Sequence, residues 1–294
     1  MFALLLGTIG QPHSEVPTRA VNHVAQAVVT IGACAAVVAI VAVSVRMARR
    51  RHSLLPVSIV AAAGLGTICE PQWNATYHLF WYAPGQIRLW ESYGYPQPLW
   101  VAGIYIVIYA GPALFLLAQF ERGTFSRAAL YRTVAIASAA IAVLEISVIA
   151  SGVYRYYGPL PFRFITDYPL WCAVMEGAFI GTYVAAAGLV GPRLGRGAKA
   201  LLMVPVFFAT FSAVMFGGAM PAHVVLNKAG TSTAAGYVGV LVALVLTGSM
   251  VWMAGEAIRL QQRAVPTQIP TPTQRSSHAR GRRTDRRTDV PALD

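Results

Sequence analysis

Apolar residues along this chain gather into seven long blocks separated by short polar stretches, near 22–45, 54–77, 98–119, 130–153, 168–190, 198–220 and 234–257. About 20 helical residues, each rising about 1.5 Å, cross a hydrocarbon core of roughly 30 Å, so every block is long enough to span one. Ala, Val, Leu, Ile and Gly fill the blocks without sustained period-2 alternation, which favours helices over a barrel. The pattern predicts an all-α, seven-transmembrane helix bundle over residues 22–258. An external segment, 1–21, would precede it and a disordered basic tail, 259–294, would follow.

Composition agrees. Of 294 residues, 56% are hydrophobic and only 12% charged, and the mean hydropathy of +0.56 is more than a soluble domain could hide. The net charge of +12 sorts by loop. Eighteen of the 23 Lys and Arg residues fall in alternate loops on one side, at 46–51, 122–132, 193–199 and from Arg259 onward. Arg19, Arg88, Arg155, Arg163 and Lys228 fall on the other. The positive-inside rule then sets the N-terminus outside and the C-terminus in the cytoplasm, as in an integral protein of a bacterial plasma membrane. Nucleic acid is not an expected partner. The tail "RSSHARGRRTDRRTDVPALD" instead suits anionic lipid head groups. Residues 1–10, "MFALLLGTIG", lack a basic n-region and a clear cleavage site, so they are not read as a signal peptide.

Several chemistries have no equipment here. Cys34, Cys69 and Cys172 are isolated, with no C-x-x-C, and specify neither a zinc site nor a redox pair. Lys199 and Lys228 are the only lysines, so the seventh helix has none with which to hold retinal. No metal or cofactor is expected.

The acids raise the sharper question. An ionisable group near the membrane centre costs about 2.5–3.5 kcal/mol on insertion scales, so each one asks for a reason. Glu70, Glu145 and Glu176 fall within the outer halves of helices two, four and five, Asp167 at the outer start of helix five, and Glu91 in the loop before helix three. Structural roles are open to most of them. Asp167, before Tyr168 and Pro169, fits an N-cap. Glu91 could pair with Arg88, and Glu145 and Glu176 could bond one another or a helix backbone. Glu70 has no basic residue within ten positions on either side.

Aromatics crowd the same end. Trp73, Tyr77, Phe80, Trp81, Tyr82, Trp90, Tyr93, Tyr95 and Trp100 come from one outer loop and its helices. Tyr154, Tyr156, Tyr157, Phe162, Phe164, Tyr168 and Trp171 come from the next, while the inner loops "RMARRRH" and "GPRLGRGAK" have none. An interfacial belt accounts for some of these; the excess suggests a lined pocket. The turn-rich runs "YAPGQ", "YGYPQPLW" and "YYGPLPFRF" predict compact caps over it. In "MFGGAMPAHVVLN", Gly217, Gly218 and Pro221 would bend helix six and bring His223 and Asn227 to one side. Trp73, Tyr77, His78, Trp81, Glu145, Trp171, Glu176, His223 and Asn227 are the candidate substrate-binding residues.

Desolvation favours the protonated form of a buried carboxyl, and aromatic faces attract cations by about 0.5–2 kcal/mol. A proton donor beside such a wall can protonate an alkene or epoxide and guide the carbocation that results. On "CEPQWNATYH" at 69–78 and "TDYPLWCAVMEG" at 166–177, the chain resembles the integral-membrane terpene cyclases of fungal pyripyropene-type meroterpenoid pathways. It is also similar to bacterial drimentine-type membrane cyclases. The resemblance implies Glu70 and Asp167 as the catalytic acid pair, and a lipophilic prenylated small molecule within the bilayer as substrate. No D-D-x-x-D, N-D-x-x-D or D-x-D-D run is present, which disfavours diphosphate ionisation. The competing reading is a proton-coupled small-molecule transporter or a seven-helix receptor, although the halves show no internal repeat.

Overall fold

The computed structural model describes residues 19–92, 95–158, 160–194, 197–228 and 231–264. Most of the expected external segment (1–18) and the tail from 265 onward lie outside the described residues, as does Tyr93. The chain folds into apolar helices: α1 His23–Arg51, α2 Leu55–Gly66, α3 Glu70–Tyr77, α4 Leu99–Tyr105, α5 Gly111–Glu121, α6 Arg127–Ala150, α7 Leu170–Val190, α8 Met203–Phe211, α9 Met220–Leu226 and α10 Thr233–Ala264. Helical segments joined end to end give six stretches long and apolar enough to cross a membrane. They are His23–Arg51, Leu99–Glu121, Arg127–Ala150, Leu170–Leu194, Ala198–Gly218 and Thr233–Arg263, the composition of an integral membrane protein.

The predicted second helix, 54–77, is not among those six: it runs as α2 and α3 joined by a tighter turn. Between α2 and α3 the turn Thr67–Cys69 is 3-10, and the Glu70 N–H bonds to the Thr67 carbonyl. Pro71 explains it. An α-helix would give that carbonyl to the N–H of residue 71, which proline lacks, so the bond is made one residue earlier. Pro112 acts similarly: the backbone at Ile106–Ala110 is π-helical, with the Gly111 N–H reaching back to the Ile106 carbonyl. A second π segment, Ser212–Gly218, joins α8 to α9 just before Pro221.

Three helices run well past their expected ends. α1 runs on through Arg49, Arg50 and Arg51, whose charges complement the carbonyl end of the helix dipole. The sixth column extends to Leu226, so His223 lies on its last turn. α10 continues to Ala264, so the first six residues assigned to a disordered tail are helical. Glu256, gripped by Arg127 and Arg259, and Gln262, which donates to the Phe125 carbonyl at 2.9 Å, hold that end.

α7 is the central helix. It contacts α5, α6, α8 and α10 and is mostly buried, whereas α1 and α6 are mostly exposed. Its "GAFIG" run, Gly177 to Gly181, lets α6 approach closely, since a Cβ on Gly177 would stand 2.0 Å from Ser138 Oγ. Large apolar side chains such as Val28, Ile31, Val38, Ile136, Val245 and Trp252 are exposed, the surface of a protein solvated by lipid.

The loops opposite the α1 arginines form caps containing short antiparallel ladders. β1 Leu79–Trp81 pairs with β4 Tyr154–Tyr156, and β2 Arg88–Ser92 with β3 Tyr95–Pro98. Below, Tyr109, Phe179, Tyr183, Phe207 and Phe211 pack into a buried aromatic plug, with Phe179 centroids 4.8 Å from Tyr109, 5.3 Å from Phe207 and 5.0 Å from Phe211.

Candidate functional site

Between the caps and the plug lies a cavity bounded by α3, α4, the Ile106–Ala110 segment, α6, α7, β1 and β4. Three carboxyl groups, Glu70, Glu145 and Glu176, share its wall with Trp73, Trp81, Trp100, Tyr105, Tyr109 and Tyr154, and Leu79, Val101, Ile104 and Ile108 complete it. Among the described residues, no Lys, Arg or His lines it. Its volume is about 50 Å³.

Each carboxyl is held differently. Glu70, 5% exposed at the first turn of α3, accepts a hydrogen bond from Tyr105 Oη at 2.8 Å. Asn74, one turn further along α3, lies on its other side. The Trp81 indole can only donate, so the Asn74 oxygen faces it, 2.7 Å from Nε1, and the Asn74 nitrogen stands 2.7 Å from Glu70 Oε1. Glu145 accepts from Tyr156 Oη at 3.2 Å, with the Tyr154 hydroxyl directed at the same carboxyl. Glu176 is 7% exposed, and no donor among the described residues reaches it.

No family model, curated protein or solved structure matches this chain.

The site therefore rests on its own geometry, which divides the sequence candidates into groups. Glu70, Trp73, Trp81, Glu145 and Glu176 line the cavity. Tyr77 stands behind Trp73, stacked at 3.5 Å, and Trp171 stacks on Tyr77 at 5.2 Å, so these two back the wall. His78 Nε2 meets Asn227 Oδ1 at 2.9 Å, and Asn227 also donates to the His223 carbonyl at 3.0 Å. His223 packs edge-on against Tyr77 at 4.5 Å, and Tyr77 Oη donates to the Met215 carbonyl at 2.7 Å. His78, His223 and Asn227 thus latch α3 to the sixth column instead of facing the cavity.

Asp167 is the main departure. It is absent from the cavity wall, half-exposed in the cap, and its carboxylate is taken by Arg155 Nη2 at 2.8 Å. Nor does it cap α7, which begins at Leu170 with Pro169 in the cap position and no side-chain cap bond. Its left-handed backbone, φ 59°, turns the chain before the helix, a conformation Asp tolerates. Glu145 and Glu176, not Asp167, are the acids brought to Glu70. Glu91 does meet Arg88, at 3.4 Å. A tyrosine hydroxyl, that of Tyr156, holds Glu145.

Sequence reading passed over Asn74, Tyr105 and Tyr109. A usable signal existed: Asn74 is four residues from Glu70, and Tyr105 and Tyr109 are four apart inside an apolar helix, so each pair shares a face.

Proposed function

We propose that this chain crosses the membrane seven times, N-terminus outside, and works as a membrane-embedded cyclase. It protonates a terminal alkene or epoxide of a prenylated, farnesyl-type small molecule and guides the ring closure that follows. The observation that carries this reading is the cavity itself: three carboxyl groups and six indole or phenol rings, with no Lys, Arg or His among the described residues that line it. Three carboxyls in one low-dielectric space cannot all bear charge, so the site holds protons. The aromatic faces stabilise positive charge as it forms.

In the proposed reaction the Glu70 O–H bond breaks and its proton forms a new C–H bond at the alkene terminus, or an O–H bond on the epoxide oxygen. The electron-deficient carbon is attacked by the next double bond, closing a ring. The final cation loses a proton from an adjacent carbon to a cavity carboxylate, so mass is conserved. The small cavity suits the reacting end of such a chain. The aromatic plug weighs against the carrier reading, because a carrier needs a polar route to the other face and the rings of Phe179, Phe207 and Phe211 stand in that path.

Membranes containing the protein, incubated with a farnesylated indole and its terminal epoxide, should yield isomers of unchanged mass. Recovery of only starting compound, together with gradient-driven uptake of the same compounds into vesicles, would establish a carrier instead. Single cysteines introduced at Arg88 or Phe164, both exposed, in a Cys-free background should react with an impermeant thiol reagent added outside. Those at Arg50 or Arg193 should not, and the reverse pattern overturns the orientation.

A further inference from the structure

Resting on the cyclase reading, we infer that the Trp81–Asn74 pair is a positioning device that decides which oxygen of Glu70 carries the transferable proton. The logic follows from what each group can do. An indole Nε1–H donates and has no lone pair to accept with, so the amide edge that meets it must be the Asn74 oxygen. The opposite edge, the amide nitrogen, then faces Glu70 Oε1 at 2.7 Å and must donate to it. Trp81 cannot turn to release this arrangement: it is 3% exposed and packed edge-on between Trp100, at 5.2 Å, and Tyr154, at 4.8 Å. Asn74 is buried as well, and with its oxygen turned this way the Gln97 amide, 3.2 Å from that oxygen, must present its nitrogen and donate.

Glu70 Oε1 is therefore an acceptor in the neutral acid. The proton belongs to Oε2, whose O–H points away from Tyr105 while its remaining lone pair accepts the bond from Tyr105 Oη at 2.8 Å. Asn74 also acts when the proton leaves. The charge developing on the carboxylate is shared by an N–H already aimed at Oε1, so the donor is a stronger acid than an unsupported buried carboxyl. An alkene, much the weaker base, needs this help; an epoxide oxygen, protonated more readily, needs it less.

The test compares two probes on one set of variants, with the full-length protein in membranes: a farnesylated indole ending in an alkene and the same compound ending in an epoxide. Asn74→Leu should slow alkene cyclisation on the order of a hundredfold, the loss typical of one preorganised donor, while epoxide cyclisation falls less than tenfold. Trp81→Phe keeps an aromatic face but releases the amide, and should shift the alkene-to-epoxide rate ratio in the same direction by a smaller factor. Purely structural damage would lower both rates together, so gel filtration in detergent need only show that the variants are folded. If the parent cyclises the probes and both variants keep its rate ratio, the positioning role is wrong and the cyclase reading stands. If the parent converts neither probe, the cyclase reading itself fails.

Discussion

The acids of the cavity and the acids elsewhere in this protein live in opposite company. Outside the cavity, each described acid has a guanidinium beside it: Glu91 with Arg88, Asp167 with Arg155, Glu121 with Arg51 at 2.6 Å, and Glu256 with both Arg127 and Arg259. Inside, Glu70 has a phenol and an amide, Glu145 has phenols, and Glu176 has no donor among the described residues. Partly exposed ion pairs contribute only about 0–1 kcal/mol, so the first group ties helix ends and caps together at little cost. A buried carboxyl without a cation costs far more, and a fold selected for stability alone would replace it. Three such groups facing one space mark the cavity as the place where stability is given up for chemistry.

The comparison breaks most visibly at Glu70. Glu70→Gln keeps the size and loses the acidic proton, and product formation should fall by about 10²- to 10⁴-fold with the protein still inserted and folded, read by chromatography of the reaction mixture. Parental turnover in that variant would remove Glu70 from the mechanism. Glu176→Met should show the trade directly. Replacing an unsupported carboxyl with an apolar side chain of similar length should raise stability by about 1–4 kcal/mol while activity drops, measured as thermal unfolding in detergent beside the product assay. A loss of stability there would mean that Glu176 has a partner and belongs with the paired acids. The smallest effects belong to the paired acids: Glu121→Gln and Glu256→Gln should leave activity at the parental level and shift stability by no more than about 1 kcal/mol. If either matched Glu70→Gln, the division between the two groups would collapse.

Much of the bundle was legible beforehand because lipid imposes a simple rule. Backbone polar groups in hydrocarbon must bond within the segment, so long apolar blocks become helices, and their positions followed from length and hydropathy. The expected ends were less accurate at α1, α9 and α10, where helix continues past the apolar stretch on Arg, His or Gln side chains that length arguments do not weigh. The gathering of acids and aromatics at one end was also visible. Asp167 shows the limit: its position along the chain beside α7 suggested a place next to Glu70, whereas a cap turn and Arg155 carry it away.

An apolar helical chain, with acids and rings crowded around two of its loops and a bend expected at Gly217, Gly218 and Pro221, could be read from the order of residues alone. Periodicity and composition are local properties, and local properties suffice for these. Only the tertiary structure decided that Glu145 and Glu176 are Glu70's companions, that Tyr105 and Asn74 hold it, and that Trp171, His78, His223 and Asn227 back or latch the wall. Those relations join residues from separate helices. They depend on how closely the glycines of α7 let α6 approach and how α3, α4 and β1 turn their side chains inward, distances that no single segment encodes.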